Sequence, residues 1–333
     1  KRAVGHRRRC ARNNHRIMTV GEERYCVEAA STNSTTKQRR VIELALAEDL
    51  LDLRPAACEG GDAWSGIAEV HDPAYVEAVR TGEPRRLAES QGFTWSPAFA
   101  ESVALIWDGH LAACRLAMRA GVVFHPVSGA HHAGYARGSG FCTFNFLVGS
   151  ARSLLKSGVA PVAIVDLDAH PGDGTYRLVK AQREIALFDI ASGVWESVAG
   201  AAHVEYLDVR DVAAYRQALS RLPAFLDRVR PALVQYQAGM DPFEDDPVGG
   251  IAGVDAEFLR FRDRFVIGHV LSRGIPLVIN LAGGYIDGVT ERRHLETLRI
   301  AAAPLSDPGL PPGTLLAVAK RPPAPTRLPP AVR

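Results

Sequence analysis

A chain that reads VAIVDLDAHPGDGT over residues 162–175 has few ways to fold around that stretch. Residues 162–165 are an apolar, largely β-branched run of the kind found in a strand covered on both faces. Side chains alternate sides along a strand, so Asp166, Asp168 and His170 can share one face as the strand runs out. Two buried aspartates side by side are costly unless a positive charge sits between them, and a divalent cation is the simplest one. Pro171, Gly172 and Gly174 then turn the chain and leave Asp173 on the rim.

Along the rest of the chain, strand-length apolar runs alternate with helical patterns. Helices are expected over residues 38–53, from Pro73 onward with Tyr75, Val76 and Val79 inward, and over 97–120, 145–157, 176–181, 213–229, 256–272 and 291–303. Strands are expected over 122–125, 162–165, 185–190, 232–238 and 275–281. This rhythm implies an α/β chain, a single three-layer α/β/α domain with a mostly parallel central sheet. Such sheets bind ligands at the carboxyl ends of their strands. Residues 1–36, polar and rich in Arg and Asn, read as a poorly ordered lead-in, 37–303 as the catalytic domain, and 304–333 as a Pro-rich tail with one short strand near 314–318.

With 333 residues, 47% hydrophobic, the chain can bury one large core. Lys plus Arg total 39 against 37 for Asp plus Glu, and the excess is concentrated in residues 1–16, so no global basic field suggests direct binding to nucleic acid. The five cysteines are scattered and form no CxxC pair, which fits free thiols in a reducing compartment, with the cytoplasm as the default. No 18-residue apolar run suggests a membrane span, and the basic start lacks the apolar segment of a signal peptide. Oligomeric state leaves no mark in the sequence.

The expected strand ends are unusually polar. One is followed by Ser128-Gly129-Ala130-His131-His132-Ala133-Gly134 and then Gly140-Phe141-Cys142, a second by Asp168 and His170, a third by Gly239-Met240-Asp241, a fourth by Ala282-Gly283-Gly284-Tyr285. In a parallel sheet these converge. Two carboxylates and an imidazole leave room on a divalent ion for water and substrate, the pattern of a catalytic zinc site. Tandem histidines can supply base and acid, a tyrosine hydroxyl can donate to an oxyanion, and Asp166 and Asp173 remain to orient the imidazoles. Singly, each piece has an ordinary reading, since histidines in a glycine-rich loop are commonly solvated and an Asp after a strand commonly caps a turn. Their common order and topology favour a site.

The set GAHHAG (129–134), GFCTFN (140–145), DLDAHPGDGT (166–175), QAGMDPFEDDP (237–247) and LAGGY (281–285) resembles the zinc-dependent histone deacetylase superfamily, which shares its fold with arginases. The resemblance spans about residues 39–303. It implies Asp168, His170 and Asp241 as zinc ligands, with Fe2+ as the alternative metal and a structural monovalent cation such as K+ besides. It further implies His131 and His132 as the catalytic pair backed by Asp166 and Asp173, Tyr285 as the oxyanion donor, Phe141 as a wall of the acyl-lysine tunnel, and Gly140 as the carbonyl facing the scissile amide. The expected substrate is an acetylated lysine or a small acetylated amine. Departures from the family pattern are Pro171 where many relatives carry a second histidine, and a loop reading Ala191-Ser192-Gly193-Val194-Trp195 where a second tunnel aromatic is expected. Trp95 stands where eukaryotic members place an aspartate that grips the substrate backbone, and Val248 stands where the polyamine-selective relative carries a glutamate. Alternatives are an acetylpolyamine amidohydrolase, a binuclear manganese ureohydrolase, for which Asp241-Pro242-Phe243 lacks an extra carboxylate, and a non-catalytic acyl-lysine binding protein.

Overall fold

A computed structural model of the protein describes residues 16–29, 32–55, 62–193 and 201–303. One sheet runs through it, built from β1 (Ile17–Val20), β2 (Leu51–Arg54), β3 (Val122–His125), β4 (Val162–Asp166), β5 (Ile185–Ala191), β6 (Val204–Asp208), β7 (Leu233–Gln237) and β8 (Leu277–Asn280). Their spatial order is β2-β1-β3-β8-β7-β4-β5-β6, and every pairing is parallel. The helices are α1 (Lys37–Ala47), α2 (Ala63–Ala68), α3 (Pro73–Thr81), α4 (Arg85–Ala88), α5 (Pro97–Ala120), α6 (Phe146–Lys156), α7 (Asp173–Val179), α8 (Val212–Leu219), α9 (Leu222–Val229), α10 (Ala256–Ser272) and α11 (Thr290–Ala302).

Parallel strands need crossovers, and the helices that make them cover both faces. On one face Phe124, Val165, Phe188, Tyr236 and Ile279 pack with Tyr215 of α8, Phe225 of α9, Phe258 of α10 and Leu295 of α11. On the other, Val123, Ile164, Leu187 and Val278 pack with Ala113 of α5 and Leu147 of α6. The three-layer α/β/α architecture with a parallel sheet is therefore as expected. Helix α5 begins where Ser96 accepts from the Phe99 amide (3.1 Å) ahead of Pro97, and ends at Gly121, whose φ of +86° a side chain would strain. Among the described residues no helix is long and apolar enough to cross a membrane, and Cys26, Cys114 and Cys142 are free thiols.

Several expectations need correction. Residues 17–20 are not lead-in but an interior strand, β1, paired on both sides; Ile17-Met18-Thr19-Val20 is a short β-branched run embedded in a polar segment. The helix expected over 38–53 stops at Ala47. The chain reverses through Asp49 (φ +59°), and Leu51–Arg54 leaves as edge strand β2, although Leu50 and Leu51 kept the helical period. The helix expected over 213–229 is two, since Pro223 cannot donate a backbone hydrogen bond and a new helix starts around it. Strand β6 went unanticipated because its residues are only half-buried. The tail over 304–333, its strand near 314–318 included, lies outside the described residues.

Strand register prepares the site. His125, Asn280, Gln237, Asp166 and Asp189 stand side by side on β3, β8, β7, β4 and β5, all buried. The loops that follow these strands carry the candidate residues.

Candidate metal centre and active site

Beyond β4 and β7, the donor atoms of Asp168, His170 and Asp241 lie within 4.8 Å of one another. His170 Nδ1 is 3.1 Å from Asp168 Oδ1 and 2.9 Å from Asp241 Oδ2, while its Nε2 lies 3.1 Å from the Val248 carbonyl. If Nε2 carries the proton and donates to that carbonyl, the Nδ1 lone pair faces the carboxylates, as a metal ligand requires. Backbone amides aim the acids: Gly283 donates to Asp168 Oδ2 (2.7 Å), His170 to Asp168 Oδ1 (3.0 Å) and Ala169 to Asp241 Oδ1 (3.1 Å). A side chain at residue 283 would collide with the Asp241 carboxylate, so this approach needs glycine.

The electrostatics describe a place short of positive charge. Burial and repulsion from Asp168 push the Asp241 carboxyl up to about 7. Burial alone would lower His170, yet Asp168 and Asp241 raise it to about 11. Two buried carboxylates and one imidazole lone pair aimed at a common point fit a divalent ion, which would take the place of the proton that His170 otherwise holds between them.

The loop after β3 supplies two His–Asp pairs beside this centre. His131 Nδ1 is 3.0 Å from Asp166 Oδ2, and His132 Nδ1 is 2.7 Å from Asp173 Oδ1, with the two imidazole centroids 4.1 Å apart. Burial opposes charge on both rings. Asp166 and Asp168 overcome it at His131 and raise its pKa to about 10, whereas burial and the neighbouring His131 lower His132. Arg177 holds the other oxygen of Asp173 at 2.9 Å.

A small cavity opens over these groups, lined by His131, Gly140, Phe141, Asp168, Gly283 and Tyr285. Gly140 packs against the His132 ring so closely that a Cβ would strike it, and its carbonyl accepts from the Cys142 thiol (3.3 Å). Phe141 adopts φ +62°, a strained value for an aromatic residue, and its amide donates to Gln91 O (3.0 Å). Its ring faces Phe93 at 5.7 Å and Tyr285 at 6.1 Å.

Residues 33–197 match the histone deacetylase domain. An uncharacterized protein of Picosynechococcus is 30% identical over 249 residues, 72% of this chain and 81% of the relative. The chain belongs to the histone deacetylase superfamily. Histone deacetylase 2 of Arabidopsis thaliana is 28% identical over 283 residues, 78% of this chain and 71% of that one. The crystal structure of acetylpolyamine aminohydrolase from Burkholderia pseudomallei superposes with a TM-score of 0.73 at 19% identity, covering 86% of this chain and 99% of that one, which shows the shared fold. As a member of the histone deacetylase superfamily the chain is a hydrolase of amide bonds in a family that is generally metal-dependent and acts on acetylated substrates.

Measured against the family's pattern, two candidates stand elsewhere. Trp95 is turned from the cavity. Its indole N–H donates to Val79 O (2.6 Å), and its ring lies against Gly82 with the Arg85 guanidinium 5.0 Å above, because Phe93, two residues earlier, takes the place beside Phe141. Val248 meets the site through its backbone carbonyl while its side chain stays exposed. Val194 and Trp195, in the loop where a second tunnel aromatic is expected, lie outside the described residues. Sequence reasoning also missed Asp189, whose Oδ2 accepts from the Gly172 amide (2.9 Å); burial and Asp166 push its pKa well up. An acid inside the apolar run Ile185–Ala191 was the available signal. Asp246, accepting from the amides of Tyr285 (2.8 Å), Val248 and Gly249 (both 3.1 Å), was likewise unassigned.

Proposed function

We propose that the protein is a zinc-dependent deacetylase that hydrolyses an acetylated lysine or a small acetylated amine. The observation that carries this reading is that the Asp168–His170–Asp241 donor set and the pairs His131–Asp166 and His132–Asp173 lie next to a cavity lined by His131, Asp168 and Tyr285. Zinc held by Asp168, His170 and Asp241 would supply Lewis-acid activation of the acyl oxygen and of the attacking water. With Nδ1 engaged by Asp173, His132 takes the water's proton on Nε2. His131, backed by Asp166, carries the positive charge that stabilises the transition state and gives a proton to the departing amine as the C–N bond breaks. Tyr285 donates its hydroxyl to the oxyanion at the tetrahedral carbon. Phe141, with Phe93 behind it, forms an apolar wall suited to an aliphatic chain, and the Gly140 carbonyl can accept from the amide N–H.

The exposed Val248 side chain offers no charge to a distant ammonium, so a polycation gains nothing there, and Trp95 contributes no grip on a peptide. Flanking sequence should therefore matter little. The test measures acetate released by the zinc-loaded chain from acetyl-lysine, acetyl-lysine peptides and acetylpolyamines. Turnover of acetyl-lysine is expected, with peptides favoured in kcat/KM by less than ~100-fold, about 2.7 kcal/mol. His132→Ala should lower kcat by ~10²-fold or more with metal retained, and Asp241→Ala should lose the metal. No acetate from any substrate, or two manganese ions per chain, refutes the reading.

A further inference from the structure

Tyr285 and the Asp168–His170–Asp241 donor set reach the cavity on different loops, and one buried carboxylate ties those loops together. Asp246, in the loop after β7 and 6% exposed, gives both of its oxygens to backbone amides. Its Oδ2 accepts from Tyr285 at 2.8 Å, and its Oδ1 accepts from Val248 and Gly249, both at 3.1 Å. Val248 in turn offers its carbonyl to His170 Nε2 at 3.1 Å, the contact that leaves Nδ1 to face Asp168 and Asp241. Asp246 is thus one hydrogen bond from the Tyr285 backbone and, through residue 248, two from the His170 imidazole.

Both loops are already confined on their other sides. In the turn that carries Tyr285, Gly283 donates to Asp168 Oδ2 (2.7 Å), and the buried Lys37 of α1 donates to the carbonyls of Ala282 (2.6 Å) and Gly284 (3.2 Å). In the other, Gly249 sits so close to the Asp241 carbonyl that a Cβ would collide with it, and Gly250 donates to that same oxygen at 2.8 Å. Asp246 closes the gap between the two at a cost. Asp168 and Asp246 take alternate amides of one turn, so a further negative charge stands beside the Asp168–Asp241 pair. Packing alone would favour asparagine, which has the same shape and no charge. Asparagine has a single carbonyl oxygen, however, and its NH2 would face an amide N–H on one side or the other. Three donors approaching from two loops require a carboxylate, and each bond to it is strengthened by the charge.

We propose that Asp246 is a positioning residue for the hydrolysis, setting the reach of the Tyr285 hydroxyl from the donor set while holding the His170 ring through Val248. This rests on the deacetylase reading above. Two variants of the full chain separate the two sides of the carboxylate. In Asp246→Asn the side-chain oxygen is best placed against the two amides of 248 and 249, which leaves the NH2 opposed to the Tyr285 amide. With zinc saturating and an acetyl-lysine peptide as substrate, kcat should fall ~10-fold with KM changed less than ~2-fold. Zinc affinity, read by chelator competition without substrate, should stay within ~2-fold, because the Val248 side is kept. In the Tyr285→Phe background the same substitution should cost less than ~2-fold in kcat, since its effect passes through the hydroxyl. Asp246→Ala releases both sides and should in addition bind zinc ~10-fold more weakly. A residue that only supports the fold would lower the melting temperature without this split between kcat and zinc affinity. An unimpaired Asp246→Asn, equal losses in both backgrounds, or wild-type zinc affinity in Asp246→Ala overturns the proposal. Thermal unfolding monitors each variant, and if either does not fold, Asp246→Ser, too short to bridge the loops, replaces it under the criteria for Asp246→Ala and in the same cycle. An active wild type with additive losses removes this inference alone; a wild type that releases no acetate removes the deacetylase reading and this inference with it.

Discussion

The indole of Trp95 is secured by its 2.6 Å hydrogen bond to Val79 and by the stacked Arg85 guanidinium. Trp95→Phe keeps the ring and deletes the donor. We expect it to lower the unfolding free energy by about 1 kcal/mol in urea denaturation and to leave kcat/KM for an acetyl-lysine peptide within ~2-fold. A large kinetic effect would return Trp95 to the substrate rim. Residues of this kind mark the limit of local reading. Asp168 and His170 were legible because one strand delivers both, and His131 and His132 because they are adjacent in a glycine-rich loop. Lys37 was not, since its partners Ala282 and Gly284 are 245 and 247 residues away, nor was Asp246, 39 residues from the Tyr285 amide it holds. A lysine opening the polar run Lys37-Gln38-Arg39-Arg40 looks solvated, and only the fold buries it.

At the scale of elements, α10 braces the two strand ends that carry the donor set. Its Arg262, fully buried, donates to Gly239 O (2.6 Å), two residues before Asp241, and to Leu167 O (3.2 Å), one before Asp168. Asp263 holds the guanidinium at 2.8 Å and is itself held by Tyr236 (2.6 Å) and Thr297 (2.5 Å). Lysine cannot reach both carbonyls and the carboxylate at once. Arg262→Lys should therefore lose about 3 kcal/mol of stability by chemical denaturation and bind zinc roughly 10–100-fold more weakly in a chelator competition. Unchanged zinc affinity would show that the strands hold their ends without help. The alternation of strand-length and helical runs revealed the helix over 256–272 but not this duty, because an arginine beside an aspartate in a helix usually faces water. Elements with strong punctuation were read well, as with Ser96-Pro97 and Gly121 around α5. Four-residue strands such as β1 and β2 were read poorly, because they are too short to show a period of two.

Across the whole molecule, burial has left several histidines neutral. His71 and His110 are lowered by burial to about 4, and His125 and His294 lie well below their ordinary value for the same first cause. Because the folded pKa lies below the unfolded one near 6.5, the unfolded chain takes up protons first as pH falls. Stability from these groups is complete above about pH 6.5 and is lost as pH drops from there toward about 4, at about 1.4 kcal/mol per pH unit for each histidine. The urea midpoint should fall steeply between pH 6.5 and 5, and a flat profile there would contradict the assignment. The α/β class was legible from the alternation of runs alone, whereas the order of strands was not, since nothing local tells β8 where to insert. That insertion has a temporal side. Strand β8 lies between β3 and β7, so a chain emerging from the ribosome can assemble β2-β1-β3 and β7-β4-β5-β6 only as two separate sheets. Until Leu277–Asn280 has been synthesised and has slid between them, His131 and the Asp168 group belong to different halves, and the nascent protein has its chemistry divided across an open seam.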